Sequence, residues 1–289
     1  MRCYRSHRSD GYRLVTVIDE TAYDLTETTD SPRGISDAAR TAAAEGRTLE
    51  SYLRRLAGDA PIARDFTGVE DAALPVVPEE VWAAGVTYEI SEAAREAESG
   101  LPEVYLDVYE ADRPELFFKA TPGRLVGPND AVGIRGDSSW DVPEPELGIV
   151  LHRGEIVGYT IGNDMSSRSI EGDNPLYLPQ AKVYDRSCSI GPCVVPASVR
   201  DDWDDLEIRM TIERDGETMY DDRTSTSEMV RSHDELVSYL ARHNAIPETT
   251  VLLTGTSLVP DDDFTLEAGD RVAIEIDGIG RLENTVTVV

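Results

Sequence analysis

Asp141-Val-Pro-Glu-Pro-Glu-Leu-Gly-Ile-Val-Leu151 joins a proline-broken acidic start to an apolar run of strand length. Side chains alternate across a strand, so Glu144 and Glu146 share one face. Pro143 and Pro145 each remove a backbone donor, which puts this part at a sheet edge or rim, where a pocket can open. Leu147–Leu151 is apolar enough to anchor the strand in a core. Two carboxylates beside apolar surface repel each other unless a proton or a cation neutralises them.

The next strand reads Ile156-Val-Gly-Tyr-Thr-Ile-Gly162 and ends in Asn163-Asp164. A hairpin between the two strands would bring Asp164 to the glutamates. Three carboxylates without His or Cys suit Mg2+ or Mn2+ and leave positions open for water or substrate. In so acidic a chain, Glu144 and Glu146 as solvent-facing residues are the alternative. Lys182, after the apolar loop Asn174-Pro-Leu-Tyr-Leu-Pro-Gln180, is the natural counter-charge; an exposed lysine is the competing reading. Burial and a nearby metal would lower its pKa.

Charge narrows the partners. The 289 residues hold 27 basic and 56 acidic side chains, a net charge of −29, which repels nucleic-acid phosphates and anionic membranes. Lys119 and Lys182 are the only lysines, a pattern that suits a surface hydrated in concentrated salt and a halophilic source. It also marks both survivors as candidates for a task. No apolar run of about 18 residues and no secretory leader is present, so a cytoplasmic protein is expected. Cys3, Cys188 and Cys193 lack CxxC spacing, and the four histidines form neither HxH nor HExxH. A zinc site is therefore not expected.

Residues 1–75 read as a small α/β unit: a strand pair from Tyr12 to Leu25, then a helix capped by Ser36 and running towards Leu56. Pro75 and Pro78 mark a linker to a larger domain, 76–289. There, short β-runs at 147–151, 156–161, 193–195, 206–212, 251–253 and 272–276 outnumber the helices expected at 91–98 and 233–243. The βα alternation of a doubly wound sheet is missing. The fold class is α+β, mostly β: a mixed β-roll or sandwich with peripheral helices.

Several ordered motifs carry a family resemblance. Glu144-Pro-Glu-Leu147, Asn163-Asp-Met-Ser-Ser-Arg168, Lys182-Val-Tyr-Asp185 and Ser189-Ile-Gly-Pro192 resemble the metal-binding signatures of the fumarylacetoacetate hydrolase superfamily. The tail from Gly269 to Asn284 is similar to its closing segment, and Leu253-Thr-Gly-Thr256 to its Gly-Thr-Pro loop, with Ser257 where proline is usual. Arg113-Pro-Glu-Leu-Phe-Phe-Lys-Ala120, Gly172–Gln180 and Val81–Glu89 resemble the branch of archaeal 2-keto-3-deoxy-pentonate dehydratases.

The resemblance implies the family's C-terminal β-roll and Mg2+ (or Mn2+) on Glu144, Glu146 and Asp164. It also implies a homo-dimer or homo-tetramer, and dehydration of 2-keto-3-deoxy-xylonate or -arabinonate to 2,5-dioxopentanoate in pentose degradation. Lys182 and Glu115 are the expected catalytic groups; Lys119, Gln180 and Thr256 are expected to bind the sugar acid. The hydrolases of the superfamily place a His after the Gly-x-x-Tyr motif to activate water, and none follows Tyr88 here. Ser169 stands where Asp often follows the Ser-x-Arg. An acylpyruvate hydrolase, a 2-oxo acid decarboxylase and a non-catalytic acidic ligand-binding protein are the competing expectations.

Overall fold

A computed structural model describes residues 1–9, 11–28, 31–88, 108–109 and 111–289; the helix expected at 91–98 lies outside them. The chain opens with β1 (Arg2–Arg8), β2 (Gly11–Ile18) and β3 (Thr21–Asp24). After α1 (Ile35–Ala44) and α2 (Leu49–Asp59) come β4 (Glu80–Gly85), β5 (Glu115–Ala120), β6 (Leu125–Val126) and β7 (Ala131–Ile134). Strands β8 (Asp141–Val142), β9 (Pro145–His152), β10 (Glu155–Asp164) and β11 (Ser166–Ser167) precede two short helices, α3 (Arg168–Asp173) and α4 (Leu178–Lys182). The rest is β12 (Cys188–Pro196), β13 (Glu207–Arg214), β14 (Glu217–Ser225), α5 (His233–Ala241), β15 (Thr249–Leu253), β16 (Arg271–Ile276) and β17 (Gly280–Val288).

The helix expected from Ser36 to Leu56 is interrupted. Gly46, at φ +65°, turns the chain, and Thr48 restarts it by accepting a hydrogen bond from the Ser51 N–H at 3.2 Å. Gly34, not Ser36, stands at the N-cap of α1; the Ser36 hydroxyl instead accepts from Thr249 Oγ1 at 2.9 Å. Helix α5 stops at Ala241, two residues short of the expected end.

The large sheet runs β3-β2-β1-β12-β10-β9-β15-β4-β5, with β6 beside β12, and a second runs β14-β13-β16-β17-β7. Strand β9 is buried along its whole length, and its side chains divide by parity. Leu147, Ile149 and Leu151 join Ile208, Met210, Ile212 and Ile274 in the core between the sheets. Val150 joins Val251 and Leu253 in a second core under α1 and α2, where Ile35, Ala38, Tyr52 and Leu53 pack. Each such fully buried aliphatic side chain contributes about 1.5–3 kcal/mol. The residues of the expected N-terminal unit thus contribute both a layer of helices and three strands, with Cys3 of β1 paired to Val194 of β12.

This architecture opens a site at one end of β9. Strand β15 pairs with β9 only as far as Leu253↔Gly148, whereas β10 follows it to Asn163↔Pro145. Among the described residues β15 does not pair with β9 at Pro145, so the missing N–H is harmless on that side.

Candidate metal centre

The β9–β10 register brings the three carboxylates together. Gly162 faces Glu146, and the Asp164 N–H donates to the Glu144 carbonyl at 2.9 Å. With period-2 alternation, Glu144, Glu146 and Asp164 project from one face. One oxygen of each lies within 4.8 Å of the others, and all three residues are buried. A Cβ at Gly162 would overlap Leu253 Cδ2, so glycine lets β15 close against the pair.

Each acid is held by donors, and Lys182 serves two of them. Lys182 Nζ lies 2.5 Å from Glu144 Oε2 and 3.4 Å from Asp164 Oδ2. Arg168 Nη2 meets Glu144 Oε1 at 3.1 Å, and Lys119 Nζ meets Asp164 Oδ1 at 2.5 Å. Glu146 Oε2 accepts from the Gly255 N–H at 2.5 Å. That loop is fixed in turn: Gly255 has φ +84°, and a Cβ there would overlap Thr87 Oγ1.

These contacts set the protonation states. Burial pushes the Glu144 carboxyl up, but Lys182, Arg168 and Lys119 together overcome it and hold the group below its usual range. Glu146 goes the other way, well above its usual range, through burial and then the charges of Asp164 and Glu144. The Lys182 ammonium loses solvation on burial, yet Asp164, Glu144 and Glu171 more than compensate and raise its pKa. Without a metal's charge, the other cause of the expected lowering, the carboxylates outweigh desolvation. The ring of Phe117, 5.4 Å from Lys182 Nζ, adds an apolar wall.

Glu115 opens β5 opposite Gly85, and a Cβ at Gly85 would overlap its Oε2, so the carboxyl folds over bare backbone. Burial raises its pKa; Lys182 opposes this, while Glu171, Glu144 and Asp164 push with it. Lys119, fully buried, donates to the carbonyls of Met165 (2.8 Å) and Lys182 (2.5 Å) besides meeting Asp164. Its three contacts are all with the protein, which suits holding Asp164 better than binding a sugar acid. Thr256 follows Gly255, and its Oγ1 accepts from the Leu258 N–H at 3.0 Å, leaving its own proton to donate. Gln180 is exposed at a cavity of about 360 Å3 lined also by Phe117, Phe118, Leu178 and Val183. Sequence reasoning gave no role to Arg168 or Gly255. The one cation of the Asn163–Arg168 motif was a usable signal for the first; the backbone donor of Gly255 had none.

Three converging carboxylate oxygens with no nitrogen or sulfur donor fit a hard divalent cation. Among the described residues, Glu146 is the one of the three acids that no side-chain cation meets at ion-pair distance, and it is the one whose pKa is raised. What the arrangement offers chemically is a cation-binding floor, an ammonium beside it, and a carboxyl with raised pKa.

Comparison with known proteins agrees with this geometry. Residues 80–287 match the family model for the fumarylacetoacetate (FAA) hydrolase C-terminal domain. A Haloferax volcanii protein named a probable 2-keto-3-deoxyxylonate dehydratase is 62% identical over 277 residues, 96% of each chain. The 2-dehydro-3-deoxy-D-arabinonate dehydratase of Saccharolobus solfataricus is 43% identical over 214 residues, 72% of each. A solved 2-keto-3-deoxy-D-arabinonate dehydratase complexed with magnesium and 2,5-dioxopentanoate superposes with a TM-score of 0.85 at 33% identity. It covers 100% of this chain and 99% of that one. The chain belongs to the fumarylacetoacetate hydrolase family.

Proposed function

We propose that the protein dehydrates 2-keto-3-deoxy-xylonate or -arabinonate to 2,5-dioxopentanoate, with Mg2+ held by Glu144, Glu146 and Asp164. The observation that carries the reading is the buried carboxylate triad facing Lys182 and Glu115, in a chain 62% identical over nearly its whole length to a protein named for this dehydration. Manganese would suit the same donors.

The bound divalent cation supplies Lewis acidity, which makes the proton on C3 of a 2-oxo acid removable. Glu115 as carboxylate takes the C3 proton and, as carboxylic acid, passes it to the departing C4 hydroxyl, which leaves as water. Its raised pKa suits it to both halves. Lys182 keeps its positive charge and stabilises the negative charge that develops on the C2 oxygen. Transfer of a proton from C5 to C3 then gives the C5 enol, which becomes the aldehyde. Thr256 donates to the sugar-acid oxygens, with Gln180 at the margin, and Lys119 and Arg168 hold the ligand carboxylates in place.

The net charge of −29 supports a small-molecule substrate rather than a nucleic acid. Among the described residues no helix is long and apolar enough to cross a membrane. Exposed Leu176 and Tyr177, beside the cavity at Phe117, support the homo-oligomer reading. Residues 1–75 are taken as a small unit docked on the catalytic domain.

Glu115→Gln tests the chemistry. With Mg2+ and 2-keto-3-deoxy-xylonate, kcat is expected to fall by about 10²–10⁴-fold while KM and melting temperature stay near wild type. Wild-type kcat in the variant would remove Glu115 from the mechanism.

A further inference from the structure

Arg231 stands just before Ser232, the N-cap of α5, and its guanidinium gathers several acceptors. Nη2 donates to the carbonyls of Ala111 and of Val108, the latter at 3.5 Å. Nη1 donates to the Asp112 carbonyl at 3.4 Å and to Glu235 Oε1 at 2.9 Å. The side chain is only 11% exposed. Carbonyls where a helical turn ends lack a partner within the turn, and the fan of guanidinium donors can serve several at once.

Both sides of this clasp are fixed to something. Leu236 and Leu240 anchor α5 in the core, and Ser232 caps it by accepting from the Glu235 N–H at 3.2 Å. On the other side, only Arg113 and Pro114 separate the clasped carbonyls from Glu115. Proline fixes φ at 114, so a shift of Asp112 passes on to Glu115. Glu115 opens β5, which among the described residues is an edge strand paired with β4 alone. The first residue of such a strand frays unless something else holds it.

The held end points at the carboxylate site. Glu115, Phe117 and Lys119 alternate onto one face of β5. Lys119 Nζ meets Asp164 Oδ1 at 2.5 Å, and the Phe117 ring lies 5.4 Å from Lys182 Nζ. The stretch 229–231 also grips the facing strand's exit. There the Val230 N–H donates to the Thr87 carbonyl at 2.8 Å, and Met229 bridges to Tyr88. One short segment thus holds both chains at the end where Glu115 faces Gly85.

We propose that Arg231 is a positioning residue: held by α5, it fixes the strand end that carries Glu115 and so keeps that carboxyl at the carboxylate site. This rests on the reading of Glu115 as acid and base in the dehydration. Because Arg231 acts through Glu115, its loss should lower kcat and leave KM and Mg2+ affinity near wild type.

The test is a double-mutant cycle in kcat, run with Mg2+ and 2-keto-3-deoxy-xylonate on wild type, Arg231→Met, Glu115→Gln and the double variant. Arg231→Met is expected to lower kcat about 10–100-fold, the cost of a small misplacement of a reacting group. Beside Glu115→Gln it should cost nothing further, and Arg231→Lys should recover part of the loss. Wild-type kcat in Arg231→Met overturns the proposal. So does a loss of equal size in both backgrounds, a loss confined to KM, or weakened Mg2+ binding. If Arg231→Met does not fold, Arg231→Gln, which keeps an amide donor, takes its place and is judged by the same outcomes. If wild type forms no 2,5-dioxopentanoate, the dehydratase reading fails and the proposal with it. If wild type and Glu115→Gln behave as expected, only the role of Arg231 is at stake.

Discussion

Glu146→Gln is expected to lower turnover by about a thousandfold or more, because Lewis-acid activation is worth several kcal/mol and this change removes one of three anionic ligands. The substitution is nearly isosteric, so the Gly255 N–H keeps an oxygen acceptor and the local backbone should not move. Its effect on stability should change sign with the cation. In chelator, the wild-type Glu146 carboxyl is raised by burial, then by Asp164 and Glu144. A raised folded pKa means that the folded chain holds this proton where the unfolded chain has lost it. The stability linked to it is present below the ordinary carboxylate range and is lost as pH rises through the raised value. Glutamine has no proton to lose. Metal-free Glu146→Gln should therefore melt above wild type at about pH 8, with the gap closing towards about pH 4. In excess Mg2+ the order should reverse, since wild type gains binding free energy that the variant lacks. Melting curves over both conditions check this, and the same order in both would refute the ligand role of Glu146.

Lys182→Met should be almost as damaging, and in a different way. Lys182 is 5% exposed, and its ammonium lies against Glu144 and Asp164 at 2.5 and 3.4 Å. Removing one partner of a buried ion cluster leaves the other charges uncompensated, at a cost of about 3 kcal/mol or more. Methionine matches the length of the stem, so loss of packing is not the cause. The chelated variant should melt several degrees below wild type, and Mg2+ should restore more stability to it than to wild type, because a dication neutralises the same oxygens. Turnover should stay at least about a hundredfold down even with Mg2+ saturating, since the charge developing on the C2 oxygen loses its ammonium. A variant that melts like wild type in chelator would contradict the charge balance derived from the site.

Much of this was legible in the chain because strand alternation is strict. Glu144 and Glu146 are two residues apart, so they share a face, and the apolar run behind them anchors the strand in the core. Asp164 followed from a hairpin between the two strands, and in the structure Gly162 faces Glu146. What could not be read was anything set by contacts distant in sequence. Gly255 serves Glu146 from 109 residues away through its backbone, and no side-chain pattern announces a backbone donor. The burial of Lys182 was legible; the convergence of Asp164, Glu144 and Glu171 on its ammonium, which outweighs that burial in the metal-free site, was not. The break between α1 and α2 was missed although Gly46 and Thr48 spell a stop and a restart; the apolar periodicity on either side hid them.

The measurement that bears most directly on the account is product identification by NMR after incubating the protein with Mg2+ and 2-keto-3-deoxy-xylonate. Stoichiometric 2,5-dioxopentanoate, abolished by chelator and restored by Mg2+, is the expected result. Unchanged sugar acid alongside pyruvate released from an acylpyruvate, or product formed equally well in chelator, would contradict it.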